Sequence, residues 1–158
     1  MISTLKKDSP QLRPMEEFDL AEVARIEQGT FPDPWPLYSF RECIAFGYHC
    51  LVLEHHKIIQ AYGIIATELG SAHILNLCVR PELRQRGIGR QMLHHLLQLA
   101  QGVGQVEAVF LEVRASNQAA LHLYVTAGFV QTGTRKDYYP SATGPEDALI
   151  LMLTIPDK

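Results

Sequence analysis

The segment that most constrains the fold spans residues 76–90 and reads NLCVRPELRQRGIGR. An apolar strand ends at Val79, a basic loop follows, and Gly87 and Gly89 open a helix with apolar residues at helical spacing. The first N–H groups of a helix lack partners within it, and the helix dipole adds positive potential there. Glycines remove the Cβ atoms that would hold a ligand away from the main chain. This segment therefore predicts a cradle for a pyrophosphate.

Two other phosphate-binding motifs fit this segment less well. A dinucleotide fingerprint needs a third glycine, but Met92 stands where it would fall. A Walker A loop needs Gly-Lys-Ser/Thr, which the sequence lacks. A plain helix start with solvated arginines stays open as the alternative.

The remaining pattern predicts helices and strands around one sheet. Asp19 is predicted to cap the first helix, and Gly47 and Gly128 to end two later ones. The helices are expected at 19–28, 37–46, 88–101 and 117–127, and the strands at 11–15, 48–54, 58–67, 72–79, 106–114, 129–138 and 148–155. This order predicts an α/β (α+β) fold with a mixed sheet in three layers.

Size and composition narrow the classes of protein. The length of 158 residues predicts a single domain, expected over residues 11–158. Residues 1–10 are expected to form a loose tail. A hydrophobic fraction of 47% with 20% charged residues argues against intrinsic disorder. The sequence shows no apolar run near the ~20 residues of a membrane helix and no secretory signal. A net charge of −3 argues against nucleic-acid binding.

The cysteines and histidines carry no metal-site pattern. The three cysteines, Cys43, Cys50 and Cys78, form no C-x-x-C pair and fit reduced thiols in the cytoplasm. The seven histidines are adjacent pairs or isolated residues, His73 among the isolated ones. We therefore expect no metal site.

Several motifs together indicate a known family. The run Arg84-Gln85-Arg86-Gly87-Ile88-Gly89 resembles the acetyl-CoA signature R/Q-x-x-G-x-G/A of the GNAT acetyltransferases. The runs LEVRASN (111–117), ALHLY (120–124), GF (128–129), YYP (138–140) and EDA (146–148) resemble the RimI-type ribosomal-protein-alanine N-acetyltransferases. The resemblance covers roughly residues 12–155. It implies a GNAT fold of about seven strands and four helices, and acetyl transfer from acetyl-CoA to a protein N-terminal α-amine.

The resemblance also implies an acceptor and a set of binding residues. The expected acceptor is the N-terminal alanine of a small ribosomal-subunit protein. Main-chain groups at the end of one strand would hold the acetyl carbonyl and pantetheine, and the loop and helix start would hold the pyrophosphate. The expected acetyl-CoA-binding residues are Leu77, Cys78, Val79, Gln85, Arg86, Gly87, Ile88, Gly89, Arg90 and Asn117.

Glu112 is the candidate base. An α-amine has a pKa of about 7.7–8.0, so a modest base suffices to keep it neutral. Glu112 lies inside an apolar strand, where a carboxylate is costly unless it is solvated or used. The structural alternative is a strand carboxylate paired with Arg114, two residues on along the same face.

Tyr124 is the candidate acid, because the resemblance directs its hydroxyl at the CoA sulfur. A core tyrosine on an apolar helical stripe is the alternative. Asn117 or Ser116 is expected to cap this helix. Cys78 as a covalent nucleophile is disfavoured, because no His or Asp partner is identifiable from spacing and direct transfer needs none.

The resemblance places four residues on the acceptor side: Phe31, Pro32, Tyr138 and Tyr139. Surface or core aromatic residues are the alternative reading of these positions. Two other functions stay open at this point. One is a GNAT enzyme acting on a lysine or a small-molecule amine, and the other is a non-catalytic CoA-sensing module.

Overall fold

The computed structural model describes residues 9–156, so the predicted tail over residues 1–10 falls almost entirely outside the described residues. The helices are α1 (Leu20–Gln28), α2 (Leu37–Ala45), α3 (Ile88–Gly102) and α4 (Gln118–Thr126). The strands are β1 (Gln11–Pro14), β2 (His49–His55), β3 (Ile58–Glu68), β4 (Gly70–Val79), β5 (Val106–Arg114), β6 (Val130–Tyr139) and β7 (Glu146–Thr154). Each boundary lies within two residues of the predicted one.

The strands form one mixed sheet in the order β1-β2-β3-β4-β5-β7-β6. β1 pairs antiparallel with β2, β4 pairs parallel with β5, and β7 pairs antiparallel with both β5 and β6. Seven strands in a mixed sheet with four helices in the described part of the chain confirm the predicted fold class. That residues 11–158 form one domain stays a prediction.

The chain divides into two compact units, and the first contains residues 9–64 with Asn76–Leu93. Aromatic rings form the centre of its core: the Phe40 ring lies 5.2 Å from that of Trp35 and 5.6 Å from that of Tyr62. Phe40 and Tyr62 are fully buried. Gly47 follows α2 with a φ of 80°, a left-handed conformation that glycine adopts without strain, so the predicted helix end is confirmed.

The predicted role of Asp19 as a helix cap is wrong. Asp19 ends a short 3₁₀ turn, Glu17–Asp19, and makes no cap bond to α1. Its carboxylate accepts hydrogen bonds from the Glu16 N–H at 2.8 Å and from both terminal nitrogens of Arg13, at 2.7 and 2.8 Å. The charge-assisted bidentate bonds to Arg13 are stronger than a cap bond, so the Asp19 carboxylate binds Arg13 and does not cap α1.

The second unit contains Ile65–Leu75 with residues 94–156. Its core takes Val109 and Leu111 from β5 and Leu151 from β7, each almost fully buried. Helix α4 is capped by Asn117, whose side-chain oxygen accepts from the Ala120 N–H at 3.1 Å. The helix ends at Thr126, and Gly128 follows its last residues with a φ of 106°, the left-handed position that was predicted. None of the helices within residues 9–156 is long and apolar enough to cross a bilayer.

Candidate active site

The predicted phosphate cradle lies at the start of α3, in the first unit. The Gly87 carbonyl accepts from the Gln91 N–H at 3.1 Å, so the helix begins directly after this glycine. The N–H groups of residues 88–90 therefore have no acceptor within the helix. Gly87 has a φ of 79°, and a Cβ placed on it would meet no atom within 4 Å. The main chain here is open to an anion, and the side chains of Gln85, Arg86 and Arg90, which flank it in the sequence, are exposed.

Arg80 does not join this basic group. Its main-chain N–H donates to the Gln60 carbonyl at 2.8 Å, and its Nε donates to the Ile59 carbonyl at 2.9 Å. Its Nη2 lies 3.0 Å from a carboxylate oxygen of Glu22. Arg80 thus anchors the end of β4, while Arg84, Arg86 and Arg90 are exposed to solvent.

The expected acetyl-binding residues, Leu77, Cys78 and Val79, are the last three of β4. Cys78 is almost fully buried, and burial is the main reason that the pKa of its thiol is raised. A buried neutral thiol is a poor nucleophile, because the thiolate is the reactive form. The geometry therefore argues against a covalent role for Cys78.

Glu112 lies on β5 in the second unit, and His73 on β4 contacts it. The two strands run parallel with His73 opposite Phe110, so Glu112 is the next residue along on the same face. His73 Nε2 lies 2.6 Å from Glu112 Oε2, and the Glu112 side chain is 16% exposed. A half-buried carboxyl group thus meets an imidazole at hydrogen-bond distance.

The other carboxyl oxygen of Glu112 lies 3.5 Å from Nε of Arg135 on β6. Arg114 contacts a different set of groups: its Nη1 lies 3.5 Å from Glu146, and its Nη2 donates to the Pro140 carbonyl at 3.1 Å. The alternative pairing of Glu112 with Arg114 is therefore wrong. Glu112 remains on the face with His73.

Tyr138 and Tyr139 end β6 as an edge-to-face pair with ring centroids 4.9 Å apart. Arg135 lies over the Tyr138 ring at 5.7 Å, and Arg114 lies over the Tyr139 ring at 4.5 Å. Burial is the main cause that raises the pKa of Tyr139 to about 12, with the charges of Tyr138 and Glu112 adding to it. The Tyr139 hydroxyl therefore stays protonated and can donate a hydrogen bond at neutral pH.

Tyr124 and Asn117 share helix α4 and its cap. Tyr124 is 7% exposed and packs edge-on against Phe129, with ring centroids 5.7 Å apart. Asn117 is the cap rather than Ser116, whose N–H donates to Glu146 at 2.7 Å. The side chain of Ser116 and, after it, this N–H bond lower the pKa of the Glu146 carboxyl. The side-chain oxygen of Asn117 already accepts a hydrogen bond from the helix, so its side-chain NH₂ group is the part left to contact a ligand.

Phe31 and Pro32 lie in the first unit, in the loop between α1 and α2. Phe31 is half-buried and Pro32 is exposed. The loop is held to α1 by main-chain bonds from Thr30 and Phe31 to the Glu27 carbonyl, each 3.1 Å long. Its side chains are thus presented on a fixed backbone.

Sequence reasoning missed His73. Its isolation along the chain suggested no role, yet it touches the candidate base. The parallel register of β4 with β5 was the missing information, because it alone brings residues 39 positions apart onto one face. Within residues 9–156, no group of three or more His, Cys, Asp or Glu side chains could hold a metal ion.

Comparisons with known proteins identify the family of this chain. A family model described as the acetyltransferase (GNAT) family matches residues 20–129. The chain belongs to the GNAT acetyltransferase family. The predicted resemblance and the assignment as an acyltransferase are therefore confirmed.

Among GNAT relatives, a ribosomal protein bS18-alanine N-acetyltransferase from Salmonella typhimurium is 38% identical over 137 residues, covering 87% of this chain and 92% of that protein. The crystal structure of the ribosomal-protein-S18-alanine N-acetyltransferase from Escherichia coli has a TM-score of 0.87 at 34% identity, covering 94% of this chain and 96% of that one. Ard1 from Thermoplasma volcanium has a TM-score of 0.86 at 21% identity, with 94% and 99% covered, a likeness of fold alone.

Proposed function

We propose that this chain transfers the acetyl group of acetyl-CoA to the N-terminal α-amine of a protein, with the N-terminal alanine of ribosomal protein bS18 as the acceptor. The observation that carries the proposal is the near-full-length similarity to bS18-alanine acetyltransferases, at 38% and 36% identity. A half-buried carboxyl group at Glu112, with an imidazole against it, is the chemistry that such a transfer needs. A bS18 acceptor also makes the cytoplasm the expected location.

The start of α3 is suited to hold the pyrophosphate of acetyl-CoA. Its unpaired N–H groups and helix dipole favour an anion, and the open main chain at Gly87 allows close approach. Arg86 and Arg90 add positive charge without being tied to other groups in the described contacts. The end of β4, at Leu77–Val79, would then hold the acetyl group through main-chain groups.

Acetyl-CoA supplies an acetyl group activated as a thioester, and the amine must be neutral to attack it. Glu112 is placed to accept the proton that the amine loses, directly or through one water. His73 and Arg135 hold both carboxyl oxygens in fixed directions. Arg135 also places a positive charge 3.5 Å from the second carboxyl oxygen.

CoA leaves as its sulfur takes up a proton or a hydrogen bond, and Tyr124 is the proposed donor. A free thiol has a pKa of about 8.5 and a tyrosine a pKa of about 10, so complete proton transfer is slightly uphill. Hydrogen bonding to the sulfur in the transition state is therefore the larger part of this role. Tyr139, which stays protonated, can donate to the acceptor main chain beside Glu112.

The decisive experiment incubates purified protein with acetyl-CoA and a synthetic peptide of the bS18 N-terminus, followed by intact-mass analysis. A gain of one acetyl group at the α-amine is expected. The same peptide with a blocked N-terminus but a free lysine is the matched control. Acetylation of the control alone would contradict the proposal and favour a lysine acceptor, and no acetylation of any amine would favour a CoA-sensing module.

A further inference from the structure

Glu27 is a buried carboxyl group that the proposed chemistry does not use. It lies in the last turn of α1 and is 2% exposed. Its Oε1 accepts from the Tyr62 hydroxyl at 2.6 Å and from the Asn76 amide at 3.0 Å. Its Oε2 accepts from the Trp35 N–H at 3.0 Å. All three donors are neutral groups, so the carboxyl is buried with hydrogen bonds in place of an ion pair.

The loop after α1 depends on Glu27 for its shape because prolines leave it few other bonds. Pro32, Pro34 and Pro36 have no N–H to donate. The carbonyl of Glu27 accepts from Thr30 and Phe31, and its carboxyl accepts from Trp35. One residue therefore holds both ends of the segment that carries Phe31 and Pro32.

The same carboxyl reaches the strand end that is expected to hold the acetyl group. Asn76, which donates to Glu27, directly precedes Leu77 in β4. The carboxyl group of Glu27 therefore connects the acceptor loop, through Trp35, with β4, through Asn76.

We propose that Glu27 is a positioning residue for the acceptor, which fixes the loop carrying Phe31 and Pro32 to the end of β4 at Asn76. The inference rests on the proposed function, because it assigns that loop to the first residue of the acceptor. It predicts that Glu27 controls acceptor affinity and selectivity, while acetyl-CoA binding at the start of α3 is independent of it.

The test uses Glu27→Gln and Glu27→Met, which replace one or both acceptor atoms at similar volume. The KM for the alanine peptide is expected to rise about tenfold or more, the factor for losing a strong hydrogen bond. The preference for alanine over a bulky first residue is expected to shrink, with the Kd for acetyl-CoA unchanged. Glu54→Gln is the control, since the Glu54 carboxyl also accepts a hydrogen bond, from Arg13 Nη2 at 2.6 Å, but in the described contacts it touches neither the loop nor β4.

Trp35 provides a direct measurement of the loop, because it is the only tryptophan in the chain. Acrylamide quenching of its fluorescence is expected to increase in both Glu27 variants and to stay unchanged in Glu54→Gln. This readout needs no catalysis, so it separates failure of the inference from failure of the proposed function. Folded Glu27 variants with wild-type quenching, KM and selectivity would overturn the inference.

Wild-type protein gives a second test that does not depend on the folding of any variant. Saturating acceptor peptide is expected to protect Trp35 from acrylamide, because the peptide would bind against its loop. Unchanged quenching at a peptide concentration that saturates turnover would equally overturn the inference, whereas absence of turnover would count against the proposed function.

Discussion

At the scale of single residues, the surroundings of Glu112 decide what it can do. One carboxyl oxygen faces His73 at 2.6 Å and the other faces Arg135 at 3.5 Å. Both partners come from strands, β4 and β6, whose backbones are fixed by the sheet. The carboxyl group is therefore held in place without being removed from solvent.

The first prediction concerns Glu112→Gln, which keeps the size of the side chain and removes the base. We expect kcat to fall by about 10²- to 10⁴-fold, the usual contribution of a general base. The Kd for acetyl-CoA, measured by calorimetry, should not change. Wild-type turnover in this variant would remove Glu112 from the mechanism.

The second prediction concerns His73→Gln. Loss of the imidazole leaves Glu112 less well oriented, and kcat should fall by about tenfold, the factor for one hydrogen bond to a charged group. His94→Gln, at an exposed position on α3, is the control and should keep wild-type kcat. Equal kcat values for the two variants would show that His73 has no part in catalysis.

At the scale of elements, Gly87 precedes α3 in a left-handed conformation. A glycine there can avoid backbone strain, and it can leave space for a ligand. Gly87 has a φ of 79° and Gly104, just after the same helix, has a φ of 81°. A Cβ at either position meets no atom within 4 Å. The two positions thus carry the same backbone strain on substitution, but only Gly87 faces the proposed pyrophosphate.

The third prediction compares Gly87→Ala with Gly104→Ala. Both should lose about 1 kcal/mol of stability from left-handed strain. Only Gly87→Ala should weaken acetyl-CoA binding, by about tenfold or more, because its Cβ enters the space of the ligand. Thermal unfolding gives the first quantity and calorimetry the second, and equal Kd values would contradict the cradle.

Local signals made several of these elements predictable from the sequence. Gly47 and Gly128 end helices as expected, because the left-handed turn depends on a single residue. Asp19 and His73 were not predictable, because their partners come from other elements. Arg13 takes the Asp19 carboxylate, and the parallel register brings Glu112 to His73. The roles of the site residues followed from the family resemblance and remain proposals.

At the scale of the whole molecule, one ion-pair group joins β1 and β2 to the 3₁₀ turn before α1. Arg13 Nη2 lies 2.7 Å from Asp19 and 2.6 Å from Glu54. Burial acts to raise the pKa of Asp19, but the hydrogen bonds from Arg13 and Glu16 outweigh it and the pKa is lowered. A carboxyl group whose pKa is lowered by folding stabilises the folded state above its unfolded pKa.

The fourth prediction is a loss of stability in acid that depends on Asp19. This stabilisation should be complete above about pH 4, the unfolded value for aspartate, and should disappear as the pH falls through the lower folded pKa. Asp19→Asn should cost about 1.5–3 kcal/mol at pH 7 and much less near pH 2. Urea unfolding at both pH values measures this, and an equal cost at both would contradict the assignment.

The three thiols of this chain, Cys43, Cys50 and Cys78, are free and buried, and burial is the main cause that raises the pKa of each. Such groups react slowly with disulfide dyes, whereas a coenzyme released into water exposes its sulfur fully. The reaction of released CoA with such a dye can therefore report turnover continuously, with little background from the protein's own thiols. Alkylating the folded protein beforehand should leave the measured rate unchanged.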